Sequence, residues 1–400
     1  MKRLLPILLI ALTSCAADLT SQWPGGLRRL SIQAVYPAGY ADAVREGAGV
    51  KASDISSGAV YSSTTDRRGT AIFNIPPGLY RISVSDRQGR SIFAGTLDRV
   101  PLTGTLDTVV TLHRSKVGSL VIKELYTGGC SKVPQEGTYQ SDQYVLLHNN
   151  DSETVWLDSL CFGTLSPYNS TGVNHWLLDD GSFPDFVPVV TVVWRYPGDG
   201  KTFPLGPGED ALIALRGAID HASQYPMSVN LNRSDCFVCY DPALFPNTLY
   251  HPAPGDKVRQ DHILKVVIKT GQSNANVVSV SSPAFVIFRA AGMSIEDWVQ
   301  RPGTVRVSKG NSADVCVTVP QEWVLDAVEV FDGSRSGNNK RLSSALDAGF
   351  VIQSESFKGR SLMRREDEEE TAMKGFSVLQ DNNNSTEDFY ERETPSLHTD

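Results

Sequence analysis

The sequence lacks a long apolar segment beyond its first residues, and it lacks an excess of positive charge. The only strongly apolar run extends from Leu4 to Leu12, about half of the roughly 20 residues that a membrane-spanning helix needs. Lysine and arginine number 37 against 45 aspartate and glutamate residues, so the net charge at pH 7 is −8. Nucleic-acid-binding proteins cluster basic residues. We therefore expect no membrane-spanning helix in the rest of the chain and no nucleic-acid partner.

Cysteine is also scarce, with six residues in 400. Apart from Cys15, these are Cys130, Cys161, Cys236, Cys239 and Cys316. An odd number cannot form a closed disulfide framework, so at least one thiol is unpaired, and the sequence leaves the pairing open. The CxxC at 236–239 has no second pair of zinc ligands and no helix signal after it. We expect structural thiols or one local disulfide there, in preference to a metal or redox site.

Familiar catalytic motifs are missing as well. The chain contains neither a GxSxG nucleophile elbow nor an HExxH zinc motif. Seven histidines are scattered, and none has a histidine partner two to four residues away. We expect these histidines to be surface or hydrogen-bonded residues. The sequence thus predicts no catalytic residues, no resident metal and no cofactor, and indicates that the chain is not an enzyme.

The first 15 residues carry the most specific signal that is present. Lys2 and Arg3 precede the short apolar run, as in a secretory signal. The run ends in Leu12-Thr13-Ser14-Cys15, which resembles the bacterial lipobox. That resemblance implies a lipoprotein signal peptide at 1–14, acylation of Cys15 and a lipidated tether at 15–28. Each buried CH₂ of an acyl chain contributes about 0.8 kcal/mol, so two or more chains anchor a protein stably to a membrane.

From Leu30 onward the pattern changes to short alternating segments between turn residues. Such segments predict β-strands, and their regular spacing favours a β-sandwich. The predicted strands of this first domain, 29–115, are 30–36, 71–75, 80–86, 91–95 and 107–113.

One stretch of this domain, "TTDRRGTAIFNIPPGLYRISVSD" at 64–86, is more specific. Asp66 and Gly69 indicate one turn and Pro76-Pro77-Gly78 a second, with strands between and after them, so we predict a hairpin. The stretch resembles the transthyretin-like or carboxypeptidase-regulatory-like sandwich. That resemblance implies a spacer or interaction module.

The remaining residues, 117–400, are also predicted to be β-rich, with long decorated loops and few short helices. Strands are expected at 118–129, 188–197, 210–215, 263–270, 276–282 and 284–290, and two strands joined as a hairpin within 142–163. A helix is predicted at 294–301 with Ser294 as its N-cap. Residues 320–331 fit either a helix or a strand. The charged run "RREDEEE" at 364–370 is expected to be a solvated loop.

The segments "VIKELY", "DQYVLLHNND", "VWLDSLC", "FPLGPGEDALIAL" and "LQDNNNSTEDF" occur in that order. They resemble the lamin-tail-like fold, an immunoglobulin-like sandwich, with Leu146 and Ser159 departing from its usual acidic residue and glycine. The whole chain resembles a Bacteroidales family of outer-membrane lipoproteins of about 400 residues, whose function is unknown. The resemblance implies an all-β protein of two β-sandwich domains.

Two sets of residues are candidates for ligand contact. Aromatic side chains in the predicted loops, Tyr168, Trp176, Trp194 and Tyr196, could form an exposed recognition surface or pack the loops. The loop at 381–389 offers the oxygen ligands Asp381, Asn383, Ser385 and Asp388 to a cation. It departs from the EF-hand pattern at its sixth and twelfth positions, so the favoured interpretation is an Asx-rich turn ahead of a buried Phe389.

Three functions remain open on the sequence. The favoured one is a lipid-anchored, non-enzymatic binding or accessory protein of the outer membrane, facing the periplasm or the cell exterior. Such a protein would capture a nutrient or assist a TonB-dependent transporter. The alternatives are a structural or adhesive cell-surface protein and, less favoured, a hydrolase whose site is built from distant loops.

Overall fold

A computed structural model of the protein describes residues 26–40, 44–88, 91–116 and 118–398. Cys15 and the predicted signal peptide lie outside these residues. The described chain is nearly all β, with a few short helices, which confirms the predicted fold class. Within these ranges, none of the helices has both the length and the apolar composition to cross a membrane.

Residues 28–116, the N-terminal region, form two sheets. The strands are β1 (Arg28–Val35), β2 (Gly49–Asp54), β3 (Val60–Thr64), β4 (Thr70–Ile75), β5 (Gly78–Gln88), β6 (Ser91–Leu102), β7 (Leu106–Thr111) and β8 (His113–Lys116). The smaller sheet has the order β4-β1-β7, and the larger has the order β3-β2-β5-β6-β8. The five predicted strands correspond to β1, β4, β5, β6 and β7 and are confirmed, whereas the sequence analysis missed β2, β3 and β8.

Alternating burial creates the core between these two sheets. In β4, every second side chain is buried, and Phe73 is one of them. Ile32 on β1 faces the same core as Val50 on β2 and Ile82 on β5. β1, β2 and β4 thus keep one face buried and the other face toward solvent, as period-two alternation requires.

The predicted hairpin at 64–86 is wrong, although both of its strands exist. β4 pairs with β1, whereas β5 pairs with β2 and β6 in the opposite sheet. The turn at 76–78 therefore carries the chain across the core. The buried Tyr80 hydroxyl donates a hydrogen bond to the Pro76 carbonyl (2.8 Å) and fixes this crossing. A crossing between sheets and a hairpin have the same alternation, so the pattern could not distinguish them.

Residues 118–398, the C-terminal region, contain eighteen strands and three short helices among the residues described. The strands are β9 (Leu120–Tyr126), β10 (Cys130–Ser131), β11 (Thr138–Tyr139), β12 (Tyr144–Asn149), β13 (Val155–Trp156), β14 (Cys161–Leu165), β15 (Phe186–Arg195), β16 (Pro204–Leu205), β17 (Asp210–Ala214), β18 (Cys236–Val238), β19 (Lys265–Lys269), β20 (Ala284–Phe288), β21 (Val305–Ser308), β22 (Asn311–Pro320), β23 (Val324–Asp332), β24 (Val351–Gln353), β25 (Ser361–Arg364) and β26 (Phe389–Arg392). The helices are α1 (Ile295–Gln300), α2 (Glu368–Lys374) and α3 (Ser385–Asp388).

Two large sheets face each other in this region. One has six strands in the order β18-β17-β12-β9-β25-β26. The other has eight, in the order β21-β22-β15-β14-β20-β23-β24, with β19 paired to β15. The shared core includes Ile122, Leu147, Ile213, Phe162, Trp194, Ile287 and Val328. The outer faces are covered too, by α1 on the larger sheet and by loops on the smaller, so β12, β14 and β20 are buried along their whole length.

The second hairpin prediction is also wrong, and it concerns strands that are buried on both faces. The predicted hairpin within 142–163 does not form, because β12 pairs with β9 and β17 while β14 lies in the opposite sheet. Asn149 stabilises the crossing, since its side-chain amide donates to the Glu153 and Leu205 carbonyls (2.9 and 2.8 Å). Residues 276–282, expected as a strand, pair with no sheet.

The helix predicted at 294–301 is confirmed, whereas the loop predicted at 364–370 is not. α1 is confirmed, with the Ser294 hydroxyl accepting from the Asp297 amide (3.1 Å). Residues 320–331 form a single 3₁₀ turn followed by β23. The charged run is wrong as a loop, because Arg364 ends β25 in the interior and Asp367 caps α2, whose acidic first turn suits a helix N-terminus.

The N- and C-terminal regions contact each other through charged and aromatic groups. The Arg81 guanidinium lies 3.8 Å from the centre of the Phe350 ring. Glu387 pairs with Lys51 and accepts a hydrogen bond from Ser83 (2.9 Å). Arg87 lies 3.4 Å from Asp367. The apolar cores remain separate, and the predicted domain boundary at 115–117 stays a prediction.

A fully buried ion pair joins loops and sheet in the C-terminal region. Arg341 contacts the Glu329 carboxylate through Nε and Nη2 (2.8 and 2.6 Å). Its remaining donors bind the carbonyls of Pro167, Ser282 and Val330. Glu329 also accepts the amides of Arg341 and Leu342. Every charge in this pair is therefore compensated.

We expect Arg341→Met to reduce the free energy of unfolding by about 3–5 kcal/mol, because it leaves the Glu329 carboxylate buried and unpaired. Urea denaturation measures the difference. Arg259→Met is the matched control, because Arg259 forms an exposed pair with Asp261 and its loss should leave stability near wild type. Equal destabilisation of the two variants would contradict this role of the buried pair.

Candidate functional site

The five described cysteines are free, buried thiols. The alternative of a local disulfide in the CxxC is therefore wrong, and the alternative of structural thiols agrees with the structure. Burial raises the pKa of the Cys130 and Cys236 thiols to about 12, which keeps them protonated. Among the described residues, no group of three or more histidine, cysteine, aspartate or glutamate side chains could hold a metal ion. Cys15, the predicted lipidation site, lies outside the described part.

The expected surface of four aromatic residues is wrong. Trp194 is only 1 % exposed, because it lies on β15 and stacks on Phe245 in the central core. Tyr196 is buried against Phe237, and Trp176 is buried with its indole N–H donating to Asp314 (3.0 Å). Tyr168 alone remains at the surface, 38 % exposed.

Tyr168 acts electrostatically on Arg216, and we call the group of Tyr168, Arg216, Tyr250 and His251 the Arg216 site. The sequence analysis singled out Tyr168 but none of the other three residues. Arg216 follows β17 at a point that neighbouring loops fix. The Leu215 amide donates to the Gln143 carbonyl (2.9 Å), and the Leu215 carbonyl accepts from Asn276 (2.5 Å). Gly217 comes so close to Pro252 that a Cβ there would lie 2.7 Å from the Pro252 Cγ.

Arg216 is a largely buried arginine whose Nε lacks an acceptor. The residue is 3 % exposed, and its Nε has no hydrogen-bond acceptor. Within the described ranges, the guanidinium makes no ion pair and no hydrogen bond. Burial lowers its pKa, and the nearby Tyr168, Asp142 and Tyr250 oppose that shift. Arginine nevertheless stays charged in proteins, so Arg216 is a cation held in the interior.

His251 supplies a second unused donor. Its Nε2 accepts the Asp241 amide (3.4 Å), and its Nδ1 is buried without a partner. Burial and the charge of Arg216 lower the pKa of His251 to about 4, so the ring is neutral near pH 7. Because Nε2 accepts, we assign the proton to Nδ1. The imidazole is fixed by stacking on Tyr240.

Two tyrosines border these donors at the surface, with Tyr168 38 % and Tyr250 42 % exposed. Both phenols act electrostatically on Arg216. Asp142 also acts on Arg216 but lies outside ion-pair distance. Its Oδ2 accepts from Tyr126 and Ser228 (2.7 and 2.6 Å), whereas its Oδ1 is buried without a hydrogen-bond partner. The group therefore combines a largely buried cation, a neutral imidazole, a buried carboxylate and two partly exposed tyrosine rings.

A cleft of about 240 Å³ lies where the N- and C-terminal regions meet. Its lining includes Arg81, Asp98, Phe331, Asp332 and Phe350. Three of its charged groups have partners, since Arg81 lies 3.1 Å from Asp98 and Asp332 accepts the Ser334 amide. Arg99 and Arg335 also line the cleft, and their guanidinium groups have no ion pair or hydrogen bond among the described residues.

The predicted cation loop already surrounds a positive charge, that of Arg364. The guanidinium lies 3.5 Å from Asp381 and 3.6 Å from Asp388, and 2.5 Å from Asp326 on β23. Ser385 turns away and binds Asp347. Asn383 adopts a φ of +48° in the turn. The cation-site prediction is thus wrong, whereas the Asx-rich turn ahead of a buried Phe389 is confirmed, with Asn384 capping α3.

Three carboxylates around one guanidinium leave an excess of negative charge. Burial raises the pKa of Asp388 to about 8, and Asp381 adds to the shift while Arg364 opposes it. Burial likewise raises the pKa of Asp326 to about 6. Unfolded aspartate titrates near 3.9, so between these values the folded protein binds the proton and the unfolded chain does not. The stabilising effect is complete below about pH 4 and is lost as the pH rises toward 8.

We expect the free energy of unfolding to fall between pH 5 and pH 8, with a slope of up to about 1.4 kcal/mol per pH unit for each such carboxyl. Asp388→Asn, which stays neutral, should flatten this slope in urea denaturation across the range. Asp180→Asn removes an exposed carboxylate and serves as the control with an unchanged slope. Parallel profiles for wild type and Asp388→Asn would refute the raised pKa of Asp388.

Part of the chain matches a protein family of unknown function, and the fold is similar to that of a solved structure. Residues 206–396 match a family model described as a protein of unknown function (DUF4876). The chain is similar to a crystal structure of a DUF4876 family protein from Bacteroides thetaiotaomicron, at 24% identity over 91% of this chain and 94% of that chain, with a TM-score of 0.58. The major pilin SpaD from Corynebacterium diphtheriae aligns over 36% of this chain and 41% of that chain, at 10% identity and a TM-score of 0.18, too low to carry an argument.

No curated protein matches the sequence. The likeness to the Bacteroides protein shows a shared fold and agrees with the predicted Bacteroidales resemblance. The transthyretin-like and lamin-tail-like assignments stay predictions. The chain therefore shares its fold with a Bacteroides protein and, over residues 206–396, matches a family of unknown function.

Proposed function

We propose that this protein is a lipid-anchored, non-enzymatic binding or accessory protein of the outer membrane. The observation that carries the proposal is the sequence Leu12-Thr13-Ser14-Cys15, which follows a basic start and a short apolar run. Acylation of Cys15 would hold the two β regions at a membrane surface. The outer membrane is favoured by the resemblance to Bacteroidales lipoproteins.

The Arg216 site supports a binding role. Its polar groups are hydrogen-bond donors, Arg216 and His251, and its accessible groups are the rings of Tyr168 and Tyr250. Capture of a nutrient and its transfer to a TonB-dependent transporter would use such a site.

The partner is tested by isolating the native lipoprotein from detergent-solubilised membranes and identifying what co-purifies. A β-barrel transporter supports the accessory role, whereas matrix or fimbrial proteins support the structural and adhesive alternative.

We expect Cys15→Ser to abolish incorporation of an alkyne-labelled fatty acid and to shift the protein out of the membrane fraction, because the hydroxyl does not replace the thiol in acylation. Ser14→Ala is the matched control: it keeps a small residue before the cysteine and should be labelled like wild type. The fatty-acid label is read on gels, and fractions by immunoblot. Equal membrane partition of Cys15→Ser, or an unlabelled wild type, would refute lipid anchoring.

A further inference from the structure

We propose that the cleft between the N- and C-terminal regions binds a small monocarboxylate whose apolar body packs inside it. This proposal deepens the binding role above and depends on it for its biological meaning. It rests on two unpaired guanidinium groups, one from each region, that line a single cleft of about 240 Å³. Ligand sites often lie between domains, and this volume is below the roughly 300–1,000 Å³ of most ligand pockets, so the ligand is small.

The two guanidinium groups belong to Arg99 on β6 and to Arg335 in the loop between β23 and β24. Both side chains line the cleft, and neither forms an ion pair or a hydrogen bond among the described residues. A guanidinium presents its N–H groups in a planar fork that matches a carboxylate. The cleft thus offers unused, permanently charged donors from both regions to an anion.

A β-bulge places Arg99 in the cleft. The pairing of β5 with β6 shifts after Tyr80, so Arg81 on β5 faces two residues of β6, Asp98 and Arg99. Asp98 and Arg99 therefore both line the cleft, although successive residues of a regular strand point to opposite faces. Arg99 adopts a φ of +57°, which glycine accepts more easily than arginine. A function of the side chain in the cleft explains why arginine occupies this strained position.

Asn338 fixes the loop that carries Arg335. The Asn338 side-chain amide donates to the carbonyls of Asp332 (3.1 Å) and Arg335 (3.0 Å), and its oxygen accepts the Asp332 amide (2.9 Å). These bonds hold the backbone of the loop and leave the Arg335 guanidinium unused. Because the loop is already ordered, less entropy is lost when a ligand binds to it.

The charges that line the cleft select the anion. Three guanidinium groups, those of Arg81, Arg99 and Arg335, stand against two carboxylates, those of Asp98 and Asp332. Arg81 pairs with Asp98 at 3.1 Å, and neither carboxylate forms an ion pair with Arg99 or Arg335. One positive charge is therefore in excess. This excess matches a monocarboxylate better than a phosphate dianion, whose second charge would face the two carboxylates.

The rest of the lining accommodates an apolar body. The Arg81 guanidinium lies 3.8 Å from the centre of the Phe350 ring, and Phe350 stacks on Phe331 with 3.8 Å between the ring centres. Ile55 from the N-terminal region and Ile352 from the C-terminal region line the same cleft and are 39 % and 46 % exposed. A phenyl or alkyl group in the cleft would cover this apolar surface, which favours binding. Hydrocinnamate, a phenyl ring joined to a propionate chain, is the probe that combines both features.

The experiment measures binding of hydrocinnamate to the full chain in detergent by titration calorimetry, with its neutral amide, acetate and phosphate as comparisons at constant ionic strength. We expect hydrocinnamate to raise the melting temperature by about 3 °C at a hundredfold excess over Kd. The amide should bind at least about tenfold more weakly, because it lacks the charge that the guanidinium groups recognise. Acetate should also bind more weakly, because it lacks the apolar body, and phosphate should not bind.

The variants separate ligand contacts from folding. Arg99→Gln and Arg335→Gln should each weaken hydrocinnamate binding about tenfold, because each removes a charge-assisted contact. Arg301→Gln is the matched control and should bind like wild type, since Arg301 is exposed and unpaired among the described residues but does not line the cleft.

Arg99→Gly provides a second readout. It should weaken binding as Arg99→Gln does, yet melt no lower than wild type without ligand, because glycine relieves the strain at this position. A lower melting temperature together with unchanged affinity would give Arg99 a structural role and overturn the proposal.

The proposal also falls if hydrocinnamate does not bind the wild type, if the amide binds equally well, if phosphate alone binds, or if both glutamine variants keep wild-type affinity. The wild-type comparison of acid and amide decides the matter even where a variant does not fold. Failure here leaves acylation of Cys15 untouched, because fatty-acid labelling tests that separately. An unlabelled wild type that binds hydrocinnamate would instead remove the membrane anchor and keep the ligand class.

Discussion

Buried guanidinium groups hold the C-terminal region together. Arg364 lies on the six-stranded sheet and binds Asp326 on the eight-stranded sheet, so one ion pair links the two layers. Asp326 also accepts the amide of Ile122 (2.6 Å), which ties β9 to β23 directly. Removing one partner of such a pair costs several kcal/mol, because the other charge stays buried. The register of the two sheets relative to each other therefore depends on placing these charges correctly.

The same constraint explains what the sequence could and could not reveal. Sequence rules predicted a turn or a helix start correctly where one or two side chains determine it. Ser294 begins α1, and Asp66 and Gly69 form the turn before β4. Ser159, where the resembling fold usually has glycine, adopts a φ of +59°, which glycine accepts more easily. Alternation also identified most strands of the N-terminal region.

Pairing could not be predicted, because a hairpin and a crossing between sheets share one pattern. Both predicted hairpins are crossings, at 76–78 and after Asn149. The burial of Trp194 could not be predicted either. Its strand, β15, is buried on both faces, so the residue is not part of an alternating pattern that would place it in the core. The cation loop was misjudged for another reason. The positive charge beside its carboxylates is that of Arg364, and the sequence analysis had predicted Arg364 to lie in a solvated loop. The Arg216 site was missed because loops from separate parts of the chain assemble it.

Comparing the buried arginines gives the strongest argument for function. Arg341 and Arg364 are surrounded by carboxylates and carbonyls, and Arg289 donates to backbone carbonyls. The guanidinium groups of Arg289, Arg341 and Arg364 thus all have acceptors within the protein. An unpaired buried charge is costly, and natural proteins break such local rules mainly at functional sites. Arg216 is the exception among these groups, because its Nε is buried without an acceptor and only the electrostatic effect of nearby groups such as Asp142 offsets its charge.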